Sequence, residues 1–90
     1  MTYNVQLSPH AVKAYKKLDP PLKPQIATGL DALREEPLGG AKVKRLKGRL
    51  RDYYRYRVGD HRIIDTVDQR AHTVYVDYIQ HRKDVYRSVE

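Results

Sequence analysis

Across Glu35-Glu36-Pro37 and Gly39-Gly40 the apolar spacing of this chain changes from a period of about 3.6 residues to a period of about 2. Helices therefore precede that point and strands follow it. On the helical side, Ser8-Pro9 supplies an N-cap and a first-turn proline. Ala11, Tyr15 and Leu18 follow at helical spacing, with Lys13, Lys16 and Lys17 opposite them. This predicts a helix over about 9–18. Asp19-Pro20 repeats the start signal, and Leu22, Ile26, Leu30 and Leu33 make one stripe up to the break, so a second helix folds back on the first with almost no loop. On the other side, strands are predicted at about 52–58, 61–67 and 72–80, joined by a Gly59-Asp60 turn and a turn near Asp68-Gln69-Arg70. Ahead of both helices, Tyr3, Val5 and Leu7 alternate with Asn4 and Gln6 as a short half-buried strand does. The segment from Arg82 to Ser88 is long enough for a short C-terminal helix.

The expected fold is α+β in a single domain over residues 1–90. It is an antiparallel sheet, made of the N-terminal strand and a three-strand meander, with the helix hairpin covering one face. The other face is left open, and function belongs there. A chain of this size buries roughly 60–65% of the surface its unfolded form exposes. With 8 tyrosines and neither Phe nor Trp, every aromatic group brings a hydroxyl that needs water or a partner. The absence of cysteine excludes disulfides, thiolate zinc sites and thiol catalysis. His10 and His72 stand apart from any ligand pattern, so neither a metal nor a cofactor is expected. The apolar runs are too short for a membrane span or a signal peptide, and the expectation is a soluble cytoplasmic protein.

The charge is distributed unevenly. The formal net charge is +7, which favours polyanionic partners. Between Lys42 and Arg57 there are 8 Lys/Arg and the single acid Asp52. Lys42, Lys44, Arg45, Lys47, Arg49 and Arg51 form a basic run that suits an RNA backbone. Tyr53-Tyr54-Arg55-Tyr56-Arg57 then alternates two residue types on a strand. Tyr54, Tyr56 and Val58 point to the core, while Tyr53, Arg55 and Arg57 point out together. An aromatic ring beside two permanent cations suits bases and phosphates.

Four segments, taken in order, resemble the RelE/ParE superfamily of bacterial toxins. They are Leu46-Lys47-Gly48, Tyr54-Arg55-Tyr56-Arg57, Gly59-Asp60-His61-Arg62-Ile63-Ile64 and Ile79-Gln80-His81-Arg82-Lys83-Asp84-Val85-Tyr86. The closing segment is most similar to the RelE branch, whose members cut mRNA in the ribosomal decoding site and are held inactive by an antitoxin. The resemblance implies a RelE-like fold and a metal-independent endoribonuclease. It places the family's two strand cations on Arg55 and Arg57, the arginine after the hairpin turn on Arg62, that of the last strand on Arg82 and the C-terminal tyrosine on Tyr86. The best-known RelE enzymes carry lysines where this chain has Arg55 and Arg57. An arginine does not readily act as a base, but it holds phosphate in two-pronged fashion.

The chemistry this set supports is attack of a 2′-hydroxyl on the adjacent phosphate, giving a 2′,3′-cyclic phosphate and a 5′-hydroxyl. Arg55, Arg57, Arg62 and Arg82 supply donors for the gathering charge. His81 is the candidate acid or base, since imidazole titrates near neutrality, and Tyr86 either moves a proton or stacks on a base. The expected partners are the ribosome, mRNA and an acidic RelB-like antitoxin, with no membrane. Two other readings stay open. One is a ParE-like poison of DNA gyrase acting by protein contact, and the other is an RNA-binding module without turnover.

Overall fold

The computed structural model describes residues 2–83. The elements run β1 (Asn4–Leu7), α1 (Pro9–Lys17), α2 (Leu22–Glu35), β2 (Val43–Arg45), a short 3-10 helix (Gly48–Leu50), β3 (Tyr54–Val58), β4 (His61–Asp68) and β5 (Thr73–His81). Ser8 caps α1 as its sequence predicts, its side chain accepting from the Ala11 N–H at 3.0 Å. The second start signal is used less fully. Chain direction turns at Asp19-Pro20-Pro21, but Pro21 precedes α2 without a side-chain cap.

The strands form one five-stranded sheet in the order β1-β5-β4-β3-β2. The meander β3-β4-β5 is antiparallel as expected, whereas β1 lies parallel to β5, with Val5 opposite Val74 and Leu7 opposite Val76. The sheet is therefore mixed, which corrects the all-antiparallel expectation. Its fifth strand, β2, pairs with β3 from Val43 opposite Tyr56 to Arg45 opposite Tyr54. The expected C-terminal helix lies outside the described residues apart from Arg82 and Lys83, which form a turn.

Both helices pack on one face, where Ala11, Ile26, Leu33, Tyr56, Ile63, Val74, Val76 and Ile79 make the core. Gly29 sits where α2 crosses the sheet. A Cβ there would stand 3.1 Å from both Tyr56 and Val58 side chains, so glycine permits the close approach. Tyr56 is buried as predicted and Val58 packs beside the core, while Tyr54 is half-buried under Arg45. One charged group lies in this layer. Asp65 is fully buried opposite Val76, and neither carboxylate oxygen has a hydrogen-bond partner. Burial above all, and then the charge of Asp77, push its pKa up to about 8.

Candidate functional site

The register of the meander brings the strand arginines to the face without helices. Arg57 is opposite Arg62, and Arg62 is opposite Gln80. The neighbouring row runs Lys44, Arg55, Ile64, Tyr78. Directly opposite residues share a face, and alternation puts both rows on the side away from Tyr56, Ile63 and Ile79. Arg82 stands two residues beyond Gln80, at the same end of the sheet. Its N–H donates to the Asp60 carbonyl at 2.7 Å, which ties the end of β5 to the β3–β4 turn.

That turn also anchors Arg62. Its Nη1 donates to the carbonyls of Gly59 and His61, each at 3.0 Å. Gly59 has φ 56°, a left-handed conformation that fits the first central residue of a two-residue hairpin turn. The Arg62 pKa is lowered first by burial and then by the charges of Arg55, Arg57 and Arg82. Four guanidinium groups thus share one patch of field. Arginine stays protonated even so. An anion that accepts from several forks at once is favoured by such a cluster.

Tyr53, just ahead of β3, is half-buried. Burial raises its hydroxyl pKa, and the adjacent Asp77 raises it further by charge and hydrogen bonding. The group is a proton donor at neutral pH. His81 is placed differently from the arginines. It lies opposite His61, the two rings edge to face with centroids 5.3 Å apart. Alternation puts this pair on the helix-bearing side. His81 Nδ1 accepts from the Lys83 N–H at 3.3 Å. Burial, then His81, lower the pKa of His61, with Asp60 opposing and Arg62 adding to the fall. A proton-transfer role for His81 requires its ring to leave this pairing. Tyr86 lies outside the described residues.

The basic run is built rather than loose. Lys42, Lys44, Arg45, Lys47, Arg49 and Arg51 are all exposed. Lys44, Arg45, Lys47, Leu46, Leu50 and Arg55 line a cleft of about 290 Å³. Arg45 is held by donating from Nε to the Arg51 carbonyl at 2.8 Å, with its guanidinium over the Tyr54 ring at 6.0 Å. The apolar wall formed by Leu46 and Leu50 was not anticipated from the charge pattern. Its signal is two leucines four positions apart inside an otherwise basic stretch. Because Arg55 belongs to both, the cleft is continuous with the arginine cluster.

The fold is shared with solved proteins of toxin–antitoxin systems. The chain is similar to a chain of the RelBE2 toxin–antitoxin complex from Mycobacterium tuberculosis, with 25% identity and a TM-score of 0.82 over 91% of this chain and 100% of that one. It is also similar to a chain of the archaeal RelE–RelB complex from Pyrococcus horikoshii OT3, at 30% identity and a TM-score of 0.77, covering 91% of this chain and 97% of the other. The isolated Escherichia coli RelE toxin shares the fold at 23% identity, with a TM-score of 0.75 over 97% of this chain and 94% of that one. No curated protein matches the sequence. Residues 5–86 match the family described as ParE toxin of type II toxin-antitoxin system, parDE. Sequence match and fold agree, and the chain belongs to this family of type II toxins.

Proposed function

We propose that this toxin is a ribosome-dependent endoribonuclease that cleaves mRNA in the decoding site and thereby stops translation. The observation that carries the reading is the register that sets Arg57 opposite Arg62 with Arg55 on the same face, and the tie of Arg82 N–H to the Asp60 carbonyl at the same end of the sheet. During cleavage the 2′-oxygen bonds to phosphorus as the bond from phosphorus to the 5′-oxygen breaks. Negative charge gathers on the two non-bridging oxygens, and guanidinium forks positioned before reaction stabilise it there. The 2′-hydroxyl proton leaves and the departing 5′-oxygen gains one; Tyr86 is proposed to move them, together with His81 once its ring leaves the pairing with His61, and water is the alternative carrier. The products are a 2′,3′-cyclic phosphate and a 5′-hydroxyl. No metal or cofactor is assigned a role.

The exposed residues Lys42, Lys44, Arg45, Lys47, Arg49 and Arg51 form the proposed contact with ribosomal RNA, with Tyr53 at its edge. Toxins of this fold from Mycobacterium tuberculosis and Pyrococcus horikoshii are solved with their antitoxins. By the same logic, an acidic RelB-like antitoxin covers the cationic face of this chain in the cytoplasm. No helix among the described residues is long and apolar enough to cross a membrane.

Primer extension on a defined mRNA in a reconstituted translation system tests the reading. New 5′ ends within decoding-site codons are expected. They should fall by about 10²–10³-fold with Arg62→Ala or Arg82→Ala, the usual loss when one transition-state donor is removed. Intact message overturns the nuclease. The family description, ParE toxin, favours one competing reading, a gyrase poison acting by protein contact. Gyrase-linked DNA breaks alongside intact message are its signature.

A further inference from the structure

Arginine is a donor only, so a site built from four of them offers nothing that accepts a hydrogen bond. The substrate atom that attacks in the proposed reaction is a hydroxyl, and a hydroxyl is also a donor. Among the described residues, the buried side-chain oxygens and nitrogens without a partner are both Asp65 oxygens and Gln80 Oε1. Asp65 belongs to the helix-bearing layer. Gln80 does not. It lies directly opposite Arg62, in the row that begins at Arg57, and two residues before Arg82. Its side chain is buried, with 8% of the residue exposed. A buried acceptor without a donor is costly and is retained where something else supplies the donor.

We propose that Gln80 Oε1 accepts a hydrogen bond from the 2′-hydroxyl of the nucleotide held by the arginine row, an inference that rests on the nuclease reading and adds ribose recognition to it. The 2′-hydroxyl is the group that distinguishes RNA from DNA. Gln80 is thus a substrate-binding residue that selects ribose and holds the nucleophile by its proton. It is not the base, because an amide oxygen does not take the proton away.

The test compares two fluorescent oligonucleotides of one sequence, an all-ribose strand and an all-2′-fluoro strand. The second keeps the ribose-like pucker and the phosphates but cannot donate. Binding is followed by anisotropy, and gels verify that the strand is intact. The wild type is expected to prefer the ribose strand by roughly fivefold or more, the worth of satisfying one buried acceptor. In Gln80→Met, which keeps the length without the acceptor, the preference should fall to about one, while affinity for the 2′-fluoro strand is unchanged and the melting temperature stays level or rises. In Gln80→Glu the preference should survive despite weaker overall binding. A wild type without preference overturns the inference, as does a folded Gln80→Met that keeps the wild-type preference or a folded Gln80→Glu that loses it. Failure of mRNA cleavage in the translation assay, with the ribose preference still present and dependent on Gln80, removes the nuclease and leaves ribose recognition standing.

Discussion

Asp65 is the residue whose environment conflicts most with its chemistry. Its carboxyl is fully buried without a partner, so the neutral form is favoured and the folded-state pKa rises to about 8. The unfolded value is near 3.9. Between those two values the folded chain binds the proton and the unfolded chain does not, so this residue lowers stability as pH rises from about 4 to 8. Asp65→Asn removes the titration and keeps the shape. Urea unfolding should show the stability difference between variant and wild type shifting by about 4 kcal/mol in the variant's favour between pH 4.5 and pH 8. Equal stability differences at both pH values would place the charge elsewhere. Taking the difference against the wild type also cancels His61, which acts in the opposite sense. Its lowered pKa costs stability as pH falls. Nothing in the sequence marks Asp65 as buried, because an Asp in a strand pattern reads as a solvent-facing position. Only the register, which sets it opposite Val76, makes the conflict visible.

At the level of elements, most of the fold was legible because it is written in period and punctuation. Ser8-Pro9 opened α1, Gly59-Asp60 closed the hairpin, and three of the strands were found within about two residues of their bounds. What escaped was β2. Val43-Lys44-Arg45 has one apolar residue and no alternation to read, and it is a strand only because the β3 edge pairs with it. The parallel pairing of β1 with β5 escaped separately, because neither strand's own alternation says which partner it takes or in which sense. The arginine cluster was legible for the same reason the meander was, since alternation and hairpin register suffice to align Arg55, Arg57 and Arg62. His81 fails that test, because its parity puts it beside His61. The turn itself is the element to perturb. Gly59→Ala forces a Cβ into φ 56° at the residue whose carbonyl anchors Arg62. The expected cost is about 1 kcal/mol or more. A melting temperature lower by about 4–8 °C should follow, together with reduced mRNA cleavage. An unchanged melting curve would mean the turn tolerates the side chain.

For the whole molecule, the formal charge of +7 is concentrated rather than spread. Each phosphate neutralised on single-stranded RNA contributes about −0.7 to the slope of log affinity against log salt. Contact through the four arginines alone gives a slope near −3, and contact that also uses the six cations of the basic run gives about −7. The steeper value is expected because Arg55 joins the two surfaces. Lys47→Ala should make the slope shallower by about 0.7. A slope that stays near −3 in the wild type and does not move in the variant would confine RNA to the arginine patch.

The parallel pairing of β1 with β5 has a consequence in time. Ser8 Oγ donates to the Asp77 carbonyl at 2.8 Å across 69 positions of sequence, and Ser8 N–H donates to Val76. The earliest strand therefore waits for the latest one, and the groups that complete the cationic face, Gln80 and Arg82, are among the last described residues to be synthesised. At about 5–20 residues per second, the interval between making Arg57 and making Arg82 is roughly 1–5 s. Throughout that interval the nascent chain carries its charge without its geometry, so the cationic face is assembled only once the sheet closes.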